Sequence, residues 1–379
     1  MVFRRMRGDT SHRGSELRQI TDGSCAPLNS YQGELPELVT RSRYASLDGY
    51  RAFAIGAVIF AHICYGSRKG SLSFVSDWGV KVFFIMSGFL ITTLLIREKV
   101  RTGDISMKGF YLRRVLRIVP AAFLFLIGMA ALNVVANLGI SSQSFLASLF
   151  YVQNFPIPQG PDGGWYLGHF WTLSAEEQYY LYVPLLLSFS LVAFGRFGMA
   201  LIVGGYAAVF VAAHYVDSKS AAEAIARIVG PQVSLMIGSL SAVLVCQRDI
   251  EVPSIGTLGS FSLVVGSLLC EGRLMPVLPS VLGGALASIC ICTLIVCGIR
   301  PARSLFFKVM NLPALAWVGR LSYTLYLWQQ LFTWKTLSIH RARWIDVVLN
   351  LSLLLAISCI SYYFVESYFL RIKDRLART

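Results

Sequence analysis

From residue 47 to residue 366 the chain alternates long apolar runs with short polar ones. Each run approaches the roughly 20 residues that a helix needs to cross the hydrocarbon core of a bilayer. The pattern predicts ten membrane-spanning helices, over 47–66, 78–97, 118–138, 174–194, 197–216, 229–247, 254–270, 279–298, 312–334 and 344–366. The stretch SSQSFLASLFYVQ (141–153) is too short and too polar to count and is expected to lie along the surface. The fold class is therefore all-α, a polytopic integral membrane helix bundle.

Composition agrees. Of 379 residues, 55% are hydrophobic and 14% charged, with a mean hydropathy of +0.60, which excludes an ordinary soluble domain. The 34 Lys and Arg set the expected orientation. With the N-terminus inside, 23 fall on the cytoplasmic side, eight fall outside, and Arg51, Lys81 and Arg320 lie within spans. Both termini are then cytoplasmic, and the longest outer connection, 139–173, carries no Lys or Arg. The net charge of +14 is thus a topology signal with an affinity for anionic lipid, and no nucleic-acid partner is expected. Three regions follow: a polar tail over 1–46, expected to be disordered and lacking a cleavable signal; a transmembrane domain over 47–370; and a basic cytoplasmic tail over 371–379. The eight cysteines form no CxxC pair, so neither a zinc site nor a disulfide framework is supported.

Ionisable groups inside such spans are costly and usually have a use. In LDGYRAFAIGAVIFAH (47–62), Arg51 and His62 stand eleven residues apart, which brings both to one helical face about 16 Å apart along the axis. A snorkelling arginine with a packing histidine accounts for that spacing as well as a working pair does. The next span places Lys81 near the outer face and Ser87-Gly88 at mid-depth, where small residues serve close helix packing or let a ligand approach the backbone. In MKGFYLRRVLRIVPAAF (107–123), Arg114 and Arg117 share a face at the cytoplasmic border, and Pro120 suits the first turn of a span. Two guanidiniums so placed grip a phosphate, as in an acyl-coenzyme A, a nucleotide or a lipid, or else simply enforce topology. In FWTLSAEEQYYLY (170–182), Ser174 and Glu177 read as a capping box. Glu176 is unexplained by capping and begins its span on the same outer side as His62, with His169 on the loop before it. Imidazole with carboxylate is the usual equipment for deprotonating a hydroxyl.

Together these stretches resemble the acyltransferase-3 family of polytopic membrane acyltransferases. The resemblance covers about 44–372 and is carried by LDGYRAFA, GVKVFFIMSGFLI, FYLRRVLRIVP, WTLSAEEQYYLY, GRLSYTLYLWQ and FVESYF, in the family order. It implies an enzyme of a bacterial inner membrane that moves an acyl group, most often acetyl, to a hydroxyl of a glycan, lipid-linked sugar, lipo-oligosaccharide or small molecule. His62 is then the essential histidine, Arg51 its partner in R-x10-H, and Arg114 and Arg117 the R-x-x-R pair that handles the donor. Residues and resemblance converge on cytoplasmic acyl-CoA, most simply acetyl-CoA, docking on Arg114 and Arg117 beside Ser87 and Gly88. His62, oriented by Glu176 or Glu177, would deprotonate the acceptor, without a metal. Two positions depart from the family: Lys81 stands where many members are acidic, and Trp328-Gln329 stands where many have tryptophan-histidine. The hydrolase-like extension of some members is absent, implying a single-module enzyme or an external partner. The alternative from another class is a transporter or flippase for an anionic or glycosylated lipid, using the same charges as a pathway.

Overall fold

The computed structural model describes residues 44–65, 72–156, 163–193, 204–205, 208, 219–246, 253–272, 280–333 and 344–376. Among these the chain is helical, with no strands. The helices are α1 (Ala45–Tyr65), α2 (Ser73–Thr102), α3 (Met107–Ala136), α4 (Ser142–Leu149), α5 (Gly163–Tyr166), α6 (Phe170–Ala193), α7 (Lys219–Cys246), α8 (Thr257–Glu271), α9 (Ser280–Gly298), α10 (Leu305–Met310), α11 (Pro313–Thr333) and α12 (Trp344–Ile360). A π-helical turn, Ser361–Glu366, joins α12 to α13 (Ser367–Leu376). Among the described residues, five helical segments are long and apolar enough to cross a membrane: Ser46–Cys64, Ser73–Thr102, Met107–Ala136, Arg227–Cys246 and Ile345–Leu376. Most of the span expected over 197–216 and most of the polar tail lie outside the described residues.

The bundle is apolar outside and has an apolar core into which polar side chains are set. Phe53, Phe60, Phe123, Val134 and Leu181 are exposed, while Asp48, Thr92, Gln329 and Glu366 are buried. That arrangement suits a hydrocarbon solvent, which rewards apolar surface and leaves polar side chains to find partners in the interior. The most extensive seams pack α7 on α2 and α11 on α1, with α1 also against α2. Two glycines make them possible. A Cβ on Gly88 would strike the Leu235 backbone carbonyl, and one on Gly319 would strike that of Asp48, so the backbones touch as small-residue membrane seams do.

Several boundaries differ from the sequence expectation. Helix α3 starts eleven residues before the expected span: Ser106 caps it, accepting from Gly109 N–H at 3.2 Å, and Lys108–Val119 is rich in good helix formers. Pro120 therefore lies inside the helix, where it leaves the carbonyl of residue 116 without its usual donor, an interruption that membrane helices tolerate. Ser174 caps nothing, because α6 already begins at Phe170. Its hydroxyl donates to Phe170 O at 2.8 Å and accepts from Gln153 N–H at 3.1 Å. Lys81 does not reach for outer headgroups but pairs with Glu271 of α8, a partner 190 residues away. Residues 371–376 are helical and end α13.

Candidate functional site

A cavity of about 600 Å³ opens between α1, α2, α3, α6, α11, the π-helical turn and α13. Its walls carry six cations, Arg51, Arg97, Arg114, Arg117, Arg320 and Lys373, against four carboxylates, Asp48, Glu176, Glu366 and Asp374. The local sequence explains how the arginines arrive there. Gly103, in the left-handed region at φ 80°, ends α2, and Ser106 starts α3. Glu98 then ties the hairpin together, accepting from Ser106 N–H at 3.1 Å and from Arg113 at 2.8 Å. With Arg113 engaged in that tie, Arg114 and Arg117, three apart on one face, both turn into the cavity. The Arg114 guanidinium lies 5.5 Å from the Tyr180 ring centroid and 5.8 Å from that of Phe110, and its buried Nε has no hydrogen-bond partner. Aromatic faces hold the cation in place and leave its N–H groups for an anion.

Arg51 enters from α1, one turn beyond Asp48, to which it donates at 3.1 Å. Deeper in the cavity, Ser87 of α2 donates to Glu176 of α6. Glu366, at the end of the π-helical turn, is buried with Oε2 unpartnered, and sequence reasoning passed over it although FVESYF contains it. A carboxylate closing an apolar run was the available signal.

His62 does not line this cavity. It stands in a second cluster, against the connection that precedes α6. Its Nδ1 lies 2.6 Å from Gln329 Oε1, and its ring packs edge-on against Trp165 at 5.3 Å between centroids. His169 repeats the arrangement with the neighbouring glutamine: its Nδ1 is 2.5 Å from Gln330 Oε1, which also accepts the His169 backbone N–H at 3.3 Å. Burial pushes the His169 imidazole down to about 4, so it is neutral near pH 7. Neither glutamine is close in sequence to its histidine, and both come from α11.

The site residues expected from sequence thus separate. Arg51, Ser87, Arg114, Arg117 and Glu176 share the cavity, and His62 does not join them. The amide of Gln329, not Glu176 or Glu177, is the hydrogen-bond partner of His62. Glu176 is engaged with Ser87, and Glu177 does not line the cavity. Gly88 faces α7, not the cavity, and belongs to packing: its carbonyl accepts from Ser239 at 3.1 Å. The two regions adjoin along α11. Tyr326 lines the cavity and bonds Thr172 at 2.6 Å and the His169 carbonyl at 3.3 Å; Gln329 follows three residues later, about 4.5 Å along the axis.

The fold and site define a bundle of apolar, membrane-length helices with a cation-rich cavity and a histidine cluster adjoining it. The chain matches the acyltransferase domain of the acyltransferase-3 family over residues 44–366 and belongs to that family. It is similar to the "Putative O-acetyltransferase" of Staphylococcus aureus strain COL, 26% identical over 362 residues, covering 85% of this chain and 56% of that one. It is also similar to the O-acetyltransferase OatA of Staphylococcus aureus strain NCTC 8325, 27% identical over 317 residues, covering 74% of this chain and 49% of that one. The chain spans about half the length of these curated relatives. No solved structure matches it.

Proposed function

We propose that the protein is an inner-membrane O-acetyltransferase that takes its acyl group from cytoplasmic acetyl-CoA and delivers it to a hydroxyl of a glycan, lipid-linked sugar or lipo-oligosaccharide. One observation carries the reading: arginines from two separate motifs, Arg51 from α1 and Arg114 and Arg117 from α3, converge on one cavity that also holds Ser87 and Glu176. In this account the guanidiniums hold the donor's phosphates, using the bidentate fork that lysine lacks. The acyl end points along α11 toward the histidine cluster. His62 takes the proton of the acceptor hydroxyl as its oxygen attacks the thioester carbonyl. The carbon–sulfur bond breaks, and the imidazolium returns its proton to the departing thiolate. The names of the relatives support acetyl as the group. The positive-inside bias supports N- and C-termini, and hence donor entry, on the cytoplasmic side.

Purified protein in liposomes, given radiolabelled acetyl-CoA and extracted envelope glycans, tests the proposal. Label passing to an alkali-sensitive glycan ester is the expected result. Movement of glycolipid across the bilayer without label transfer would overturn it in favour of a flippase.

A further inference from the structure

The partner of His62 is an amide where the sequence pointed to a carboxylate, and this changes what the histidine can do. Gln329 is fully buried, whereas His62 is only partly so. Nδ1 faces inward to Gln329 Oε1 at 2.6 Å, so Nε2, across the ring, is the nitrogen left on the accessible side. An amide oxygen accepts a hydrogen bond but has no use for a bare imidazole nitrogen, so with the amide turned to present Oε1 the short contact puts the proton on Nδ1. We infer that Gln329 is a positioning residue that pins His62 in the Nδ1–H tautomer and thereby keeps Nε2 bare as the basic nitrogen.

Three features support the assignment. The same oxygen-to-Nδ1 contact recurs between Gln330 and His169, where the oxygen's identity is fixed a second time because it also accepts the His169 backbone N–H. The Gln329 backbone is held in turn, its carbonyl accepting from Thr333 at 2.9 Å. Among the described residues no acid competes for Nδ1: the other groups recorded against His62 are Trp165, which does not titrate, and His169, which stays neutral. A neutral partner also has a consequence for rate. It orients the ring without the added stabilisation of imidazolium that a carboxylate gives, so the histidine releases its proton to the leaving group more readily.

The inference rests on the proposed acyl transfer only for its kinetic consequence; the tautomer is measurable without it. Protein labelled with 15N-histidine and reconstituted in lipid reports which ring nitrogen carries the proton, with the His62 signals assigned by their loss in His62→Gln. The expected result is a protonated Nδ1 and a bare Nε2 in the parent. Gln329→Ala should show a mixture of tautomers and a turnover lowered about tenfold or more at unchanged KM for acetyl-CoA. Gln329→Glu restores an acceptor at Nδ1, so it should restore the tautomer and most of the turnover. Its new charge should move the acid limb of the pH–rate profile up by about one unit or more, a shift that a merely structural contact would not produce. A proton on Nε2 in the parent overturns the inference, as does Gln329→Ala with parental tautomer and turnover. Full activity in His62→Gln would instead overturn the catalytic role of His62 and leave the tautomer result standing.

Discussion

The arginine-lined cavity and the histidine cluster lie on adjoining stretches of α11, yet they are built on opposite principles. In the cavity, charges outnumber the partners they are given: Arg114 rests on aromatic faces, Glu366 has a bare buried oxygen, and cations exceed carboxylates. In the histidine cluster, among the described residues, the Nδ1 of each imidazole meets a neutral amide, the buried Nε2 of His169 has no partner, and no charged side chain hydrogen-bonds either ring. The first arrangement waits for an anion to complete it; the second fixes a ring in one orientation. The proposed function places binding in the first and proton transfer in the second. Between them stands Tyr326, which lines one region and hydrogen-bonds into the other.

The largest expected effect falls on the proton-transfer side. His62→Gln, at matched protein level, should lower acetyl transfer by about 10² to 10⁴, the usual contribution of a general base. His62→Ala should lose as much, because glutamine keeps a hydrogen bond but takes up no proton. Recovery by glutamine would make His62 structural and dissolve the contrast between the regions.

Next comes a change to the scaffold both regions share. Gly88→Val drives a side chain into the α7 backbone at Leu235, so the detergent-solubilised protein should lose thermal stability by several kcal/mol equivalent, about as an overpacked core does at its worst. Gly56→Ala, where a Cβ meets open space, should leave the melting temperature unchanged. Equal tolerance of both would mean that α2 and α7 do not pack this closely.

A smaller effect is expected in the cavity. Replacing Arg114 and Arg117 together by Lys keeps the charge and removes the forks, so insertion should be normal while KM for acetyl-CoA rises about tenfold, near 1.4 kcal/mol. An unchanged KM would reduce the pair to a topology signal. The smallest effect belongs to the wall: Tyr326→Phe forfeits hydrogen bonds to Thr172 and His169 O, costing about 1 kcal/mol in a thermal melt and leaving donor binding intact.

How much of this was legible in the sequence follows from the range of each interaction. Periodicity placed Arg114 with Arg117 on one face, and apolar length placed α1, α2, α7 and α12, because both signals are local. The amide partner of His62 lies 267 residues away, and the carboxylate partner of Lys81 190 away, so no spacing rule could have paired them. Glu176 and Ser87 were each noticed, but their bond joins α6 to α2 and emerges only from packing. Ser174 and Pro120 misled because their motifs fit helix starts, while the helices begin earlier, α3 at Met107 behind the Ser106 cap and α6 at Phe170. Glu366 enters the cavity at the π-helical turn, a departure from 3.6-residue periodicity that the apolar pattern of the last span conceals.

The division of labour itself is tested most directly by equilibrium binding of radiolabelled acetyl-CoA to reconstituted His62→Gln protein beside the parent. The account predicts the same dissociation constant for both, with transfer abolished in the variant, while the Arg114→Lys, Arg117→Lys double variant binds about tenfold more weakly. Loss of donor binding in His62→Gln, with undiminished binding in the arginine variant, would contradict it.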